Sequence, residues 1–448
     1  MEQATIDRPL TGREPFPPGP RAPGLISGIR YARDPLGFYA GLQRRYGDIF
    51  SVRFPYFGHV VYVTDPELVK RVFTGSPVQF HAGEANATVL EPALGPNSVL
   101  TLDEDAHMQQ RKLLLPPFHG ERIQRYGELM REATEAVMER WPVGEAFSLR
   151  PHTTRITLAV ILRAVYGLSE GERFERAARL TDLFAKRANL VIAMPFLQRD
   201  LGRFSPWERY GQAKAELDEM IYEEIALRRA EPDVAERDDV LSLLLAARHD
   251  DGSPMTDEEL RDELMTIVGA GHETTATALA WTLERVLRTP RVHERLRESV
   301  AAGEDDYLDA TIKESLRARP VIVDVARKLT SAAEIGGYRL PAGTFVLPAI
   351  AGMHYREDLF PEPDEFRPER FLDGKADTYA WIPFGGGVRR CLGAAFAQYE
   401  MRVVLRTILE RAELRAPDPR PEKVRIRNIT LAPSEGGRVV LERPLAAA

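Results

Sequence analysis

The spacing of apolar positions changes several times along the chain, and each change marks an element. Residues 1–25 have no period; Pro15, Pro17, Pro18, Pro20 and Pro23 favour an extended arm and break any helix. From Asp48 to Thr64 the run DIFSVRFPYFGHVVYVT sets β-branched and aromatic residues on both sides of Pro55 and Gly58, which predicts a hairpin. Asp65-Pro66 then opens a helix, with proline where its missing N–H matters least. Residues 75–105 lack a clean period and contain Gly83, Pro92, Gly95 and Pro96, so they read as a long connection.

Helical spacing dominates from Asp105 to about residue 290, in stretches at 121–140, 154–167, 173–190, 207–230 and 256–287. The segment 188–206 is apolar and punctuated by Pro195, Gly202 and Pro206, a greasy connection between helices. After a helix near 305–318, residues 320–350 read as short strands and turns (VIVDVARKLT, GGYRL, AGTFVLPAI). A coil rich in Pro and charge at 355–390 precedes a helix at 392–411, and NITLAP and GRVVLERP read as closing strands. No repeat or low-complexity linker divides the chain. The expected fold class is mainly α with small β elements: an N-terminal arm over 1–25 and one domain over 26–448.

Composition narrows the class. The chain has 448 residues, 44% hydrophobic and 28% charged, which excludes disorder, collagen and a disulfide scaffold. A net charge of −7 gives no overall positive field toward nucleic acid or an anionic membrane, although local patches stay open. The start, MEQATIDRPL, lacks the apolar region of a secretory signal. The apolar stretches LAVIL at 158–162 and ANLVIAMPFL at 188–197 fall short of a ~20-residue span. A cytoplasmic protein with no membrane anchor and no nucleic-acid partner is expected.

The one cysteine, Cys391, excludes an intramolecular disulfide and a Cys-rich zinc site. It lies in Phe384-Gly385-Gly386-Gly387-Val388-Arg389-Arg390-Cys391-Leu392-Gly393. Three glycines permit backbone conformations closed to other residues and the close approach of a flat ligand. The start of a helix and two arginines favour a thiolate. A Gly-rich turn with an inert buried thiol would explain GGG and a Cys alone, and a nucleophile is a second possibility, without a local hydrolase signature.

The full spacing Phe-x-x-Gly-x-Arg-x-Cys-x-Gly, at Phe384, Gly387, Arg389, Cys391 and Gly393, resembles the haem-thiolate signature of the cytochrome P-450 superfamily. The resemblance makes Cys391 the proximal iron ligand, packs Phe384 beside the sulfur and pairs Arg389 with a haem propionate. Glu314-Ser-Leu-Arg317, by itself most often a surface ion pair, resembles the family's E-x-x-R helix, which pairs with a later Pro-Glu-Arg-Phe, here Pro368–Phe371. Ala270-Gly271-His272-Glu273-Thr274-Thr275 resembles its oxygen-binding groove at a distorted helix turn, with Glu273 and Thr274 as the acid–alcohol pair. Without the family, the same residues read as a small-residue packing face with Thr back-bonded to its helix. His107-x-x-x-Arg111 resembles the family's haem-propionate pair, and Arg327 the arginine that contacts the other propionate.

By this resemblance the chain is similar to soluble bacterial P-450 monooxygenases. The implied reaction inserts one oxygen atom of O2 into an apolar small molecule, a lipid, terpenoid or steroid-like compound. The implied cofactor is haem b. Electrons from NAD(P)H would arrive through a ferredoxin-type partner and its reductase, since no flavin domain follows Cys391. A peroxide-using or rearranging haem-thiolate enzyme and a haem-binding sensor are the competing readings; retention of Glu273 and Thr274 counts against the first. Family analogy places substrate contacts in 80–100, 188–200, the Ala270 face, Val321–Val325 and Ile429–Leu431, with Val89, Leu90, Val191, Ile192, Phe196, Ile322 and Val323 named. No Lys or Arg lies between Val72 and Gln110, so a carboxylate clamp would fall to Arg187 or Arg199. The partner's docking face is expected to carry Lys112, Arg122, Arg125 and Arg390.

Overall fold

A computed structural model describes residues 16–445 except 56, 119, 121, 194–196, 200, 201, 203, 204 and 373–376. Its axis is the 31-residue helix Asp257–Leu287, started by a capping box between Thr256 and Glu259. Most of its side chains are buried all round, as a helix enclosed by others requires. It packs along Arg150–Tyr166, to which two threonines bind it: Thr153 Oγ1 donates to Ala276 O (2.9 Å) and Thr157 Oγ1 to His272 O (2.9 Å). Helices Pro206–Ala230, Asp306–Ala318 and Ala394–Arg411 lie against other parts of it.

The β material is small and peripheral. Five strands run in the spatial order Ile49–Phe54, Gly58–Val63, Phe345–Pro348, Arg327–Leu329 and Phe80–His81. Val60 pairs with Phe345 in parallel, and the other pairings are antiparallel. The hairpin Val424–Arg427/Thr430–Pro433 is pinned to the central helix by Trp281 Nε1, which donates to Leu431 O at 2.8 Å.

Several expectations need correction. Residues 75–105 are no bare connection: they hold the helix Gly83–Leu94, with Pro92 inside it. Its first N–H groups are capped from twenty residues away, Gly83 N and Glu84 N donating to Asp103 Oδ1 (2.8 Å) and Oδ2 (2.7 Å). The arm ends at Pro23, where Gly24–Arg33 begins, and its residues 1–15 lie outside the described residues. Val321–Ala326 is irregular, the strand starting only at Arg327. Helices Pro35–Tyr46 and Pro290–Ala301 were not expected individually.

Glu314 and Arg317 form no surface pair. Both are fully buried, joined at 2.7 and 2.8 Å. Arg317 also donates to His354 O (2.9 Å) and Pro363 O (2.9 Å), while Glu314 Oε1 accepts from Arg367 N (2.9 Å) and faces Arg370 Nε at 3.5 Å. The network fastens the coil 355–372 to the helix Asp306–Ala318 ahead of the cysteine loop. Glu314→Ala strands the Arg317 charge in the core and should cost on the order of 3–5 kcal/mol. Glu128→Ala, which breaks an exposed pair with Arg131, should leave the thermal midpoint unchanged; equal midpoints for the two variants would contradict the buried network.

Candidate functional site

The cysteine loop is shaped by the protein around it. Gly385 and Gly387 have φ of +66° and +64°, the region glycine tolerates. A Cβ on Gly386 would lie 2.4 Å from the Phe73 ring, and one on Gly387 would lie 2.0 Å from Phe73 O. The close protein neighbour at these two glycines is therefore the helix Pro66–Thr74. Gly393 differs, since a Cβ there would meet nothing within 4 Å. Cys391 N donates to Phe384 O at 3.0 Å, closing the loop, and Phe384 packs edge-on to Trp381 at 6.2 Å.

Cys391 is accessible, yet protein surrounds it closely enough that burial pushes the thiol pKa up. The Gly393 N–H, Arg390 and Arg111 act the other way. The cysteine is thus exposed as a residue yet has protein close around it. Gly269 and Ala270 are likewise exposed in the middle of the most enclosed helix. Among the described residues no three His, Cys, Asp or Glu side chains gather as a metal site.

Near Cys391 the structure gathers three arginines and a neutral histidine. Arg327 is 5% exposed; its guanidinium donates to the carbonyl of Ala326 (2.9 Å) and lies over the Phe73 ring at 5.6 Å. Burial, then Arg389, pulls its pKa down to about 10. Arg389 reaches Val99 O (3.1 Å), Leu102 O and Asp103, and burial takes its pKa to about 10 as well. Burial first, then Arg389, Arg111 and Arg327, hold buried His107 down to about 3. Arg111 donates to Arg390 O at 2.8 Å and lies within range of the Cys391 sulfur. Asp103 is the acid that acts on Arg327 and Arg389. Such a set favours further anions, so these residues fit a flat group carrying two carboxylates and an iron for the sulfur.

Glu273 and Thr274 sit on the central helix. The helix is continuous from Asp257 to Leu287, and Thr274 Oγ1 donates to Ala270 O (2.6 Å), a back-bond of the kind that often bends helices. Gly271 faces Ile161, 3.0 Å from where a Cβ would stand. Glu273 is held by two residues that sequence reasoning missed, Arg427 Nε on Oε1 (3.2 Å) and Asn428 Nδ2 on Oε2 (3.1 Å). Asn428 has φ +52°, a left-handed position that Asn accepts at a hairpin turn. Arg427 and Asn428, the latter the first residue of NITLAP, carry no motif that marks them.

Not every expected pocket residue lines a space. Val191 and Val323 are buried in apolar clusters, Arg187 and Arg199 are exposed, and Phe196 and the Ile192 side chain lie outside the described residues. A cleft of about 690 Å³ near Trp207 and Arg261 is lined by Ala87, Glu91, Pro92, Gly95 and Pro96 of the expected 80–100 segment, but by none of the individually named pocket residues. In Val321–Val325, Asp324 turns to Tyr39, whose hydroxyl it accepts, so the segment is anchored to the N-terminal helices.

The sequence profile described as Cytochrome P450 matches residues 17–440. A Mycobacterium tuberculosis protein named cytochrome P450 135B1 is 43% identical over 433 residues, 95% of this chain and 91% of the relative. Cytochrome P450 138 of the same organism is 40% identical over 429 residues, 96% of each chain. Among solved structures, one described as retinoic acid bound cyanobacterial CYP120A1 superposes with a TM-score of 0.84 at 25% identity, covering 96% of this chain and 99% of that one.

Asp324 yields a pH prediction. Burial raises its pKa from 3.8 to about 6 against the lowering effect of Tyr39. The folded state therefore binds more protons than the unfolded one between these values, and stability falls as pH rises from 3.8 to about 6. Asp324→Asn removes that loss and should raise the thermal midpoint more at about pH 8 than at about pH 5. An equal gain at both would contradict the assignment.

Proposed function

The chain belongs to the cytochrome P450 family and is a haem-thiolate monooxygenase, and we propose that Cys391 is the axial ligand of its haem iron. In this reading Arg111, His107, Arg327 and Arg389 receive the haem carboxylates. The buried cation cluster beside an enclosed but accessible sulfur carries the reading: it needs the two anions that haem b brings. Phe384 fixes the loop through its carbonyl, Gly387 gives the loop its turn, and Gly393 leaves a clear face beside the sulfur. Ala270 and Gly271 keep the facing helix small.

Bound haem supplies oxygen activation, with thiolate donation favouring O–O cleavage. The chain's own groups prepare that chemistry. The Gly393 N–H and the Arg390 and Arg111 charges favour the thiolate form of Cys391. Thr274 donates its own proton to Ala270 O, so its oxygen remains free to accept from a water at the exposed Ala270 face. Glu273, held as a carboxylate by Arg427 and Asn428, would take up a proton from solvent on releasing them and pass it to that water.

The substrate is an apolar small molecule of the lipid, terpenoid or steroid-like class. The retinoic acid in CYP120A1, a long apolar chain ending in a carboxylate, supports that class by likeness. O2 is the co-substrate, and NAD(P)H electrons come through a ferredoxin-type partner and its reductase. Lys112 and Arg125, exposed as expected, are paired with Asp250 and Asp238. That leaves Arg122 and exposed Arg390, which have no ion pair among the described residues, as the stronger docking charges.

Thr274→Ala tests the proton path. Folding and haem binding should persist, while product formed per reductant consumed falls on the order of tenfold and peroxide rises, within the range of a positioned proton-transfer group. Thr275→Ala, buried behind it, should keep the ratio. An unchanged ratio in Thr274→Ala would contradict the role.

A further inference from the structure

The helix Gly24–Arg33 is oriented against the usual rule for a surface helix. Its inner ridge is Ser27, buried, and Tyr31, half-buried. Its outer ridges carry Leu25, Ile29 and Arg33 at i, i+4 and i+8, beside Ile26 and Arg30 at i and i+4. Leu25, Ile26 and Ile29 are 68%, 43% and 50% exposed. Three large aliphatic side chains facing outward together from ten residues mark a contact surface rather than scattered exposure.

The charge beside them names the occupant. Residues 16–46 hold five arginines, Arg21, Arg30, Arg33, Arg44 and Arg45, against one acid, Asp34. All five are exposed, and none has a carboxylate partner among the described residues. Asp34 is occupied as the N-cap of Pro35–Tyr46, accepting from Gly37 N at 3.0 Å. In a chain of net charge −7 this is a local positive surface around an apolar ridge. We propose that the helix Gly24–Arg33 docks the protein on an anionic lipid bilayer, with Leu25, Ile26 and Ile29 entering the acyl boundary and the arginines at the headgroups. A convex aliphatic ridge without aromatic anchors suits a deformable lipid surface better than the preformed pocket of a protein partner. Arginine stems bury along the boundary while their guanidinium groups stay at the phosphates. The same helix touches the strand Val424–Arg427, whose last residue holds Glu273. Docking would set a membrane-dissolved apolar compound beside the element that borders the site. The proposal stands apart from the substrate reading and can fail alone.

Sedimentation of the full-length haem-loaded protein with phosphatidylcholine–phosphatidylglycerol vesicles, against phosphatidylcholine alone, tests it. Wild type should pellet with the anionic vesicles only, and less as salt rises. Arg30→Glu/Arg33→Glu and Leu25→Ser/Ile29→Ser should each weaken binding by about tenfold or more, with haem absorbance unchanged. Ile29→Trp should show blue-shifted emission on the anionic vesicles. No pelleting of wild type, as residues 1–15 or an acidic protein covering the ridge would produce, overturns the proposal. So does equal pelleting on neutral vesicles, or undiminished binding by both double variants.

Discussion

Arg327, Arg389, Arg111 and His107 share one internal region with Asp103 as their near acid, and burial works against the charge on each. The like charges of the three arginines repel and are poorly solvated in such surroundings, which favours anions beside them. Asp103 shows how far the rest depends on this cluster. Its Oδ1 accepts from Gly83 N and from Arg389, so one carboxylate starts the helix Gly83–Leu94 and positions the arginine two residues before Cys391. Removing either partner would loosen both elements.

The placement of the central helix is fixed by bonds of a different kind. Thr153 and Thr157 reach across from the neighbouring helix to Ala276 O and His272 O, on either side of Glu273 and Thr274. Trp281 holds the C-terminal hairpin one turn further on, and the hairpin returns Arg427 and Asn428 to Glu273. The acid is thus gripped from the chain's last strands while the alcohol bonds only to its own helix. The two neighbours are held by separate parts of the protein, which lets one be fixed while the other meets a water.

Local signals in the sequence were readable where the chemistry was local. The spacing around Cys391, Glu314 with Arg317, and the long helix at 256–287 each sit within a few turns of chain, and their order made the family recognisable. What stayed hidden depended on distance. The helix Gly83–Leu94 has its cap at Asp103 rather than beside it, so 75–105 looked structureless. Arg427 and Asn428 lie some 150 residues from Glu273, at the end of a strand and in the turn after it, with no motif. Gly386 and Gly387 are small because Phe73 approaches them, a contact no spacing reveals. Pro35–Tyr46 was legible and passed over, since Asp34-Pro35 repeats the Asp65-Pro66 start that was read correctly.

The central claim is that the enclosed sulfur of Cys391 and the surrounding cations together hold a haem. It is tested most directly by the carbon monoxide difference spectrum of the reduced protein, recorded for wild type and for Cys391→Ser. Wild type should show the band of a thiolate-ligated carbonyl. The serine variant, still offering Arg111, Arg327 and Arg389 to the haem carboxylates, should lose that band through loss of haem or through a non-thiolate spectrum. A wild-type carbonyl band in purified Cys391→Ser would contradict the assignment.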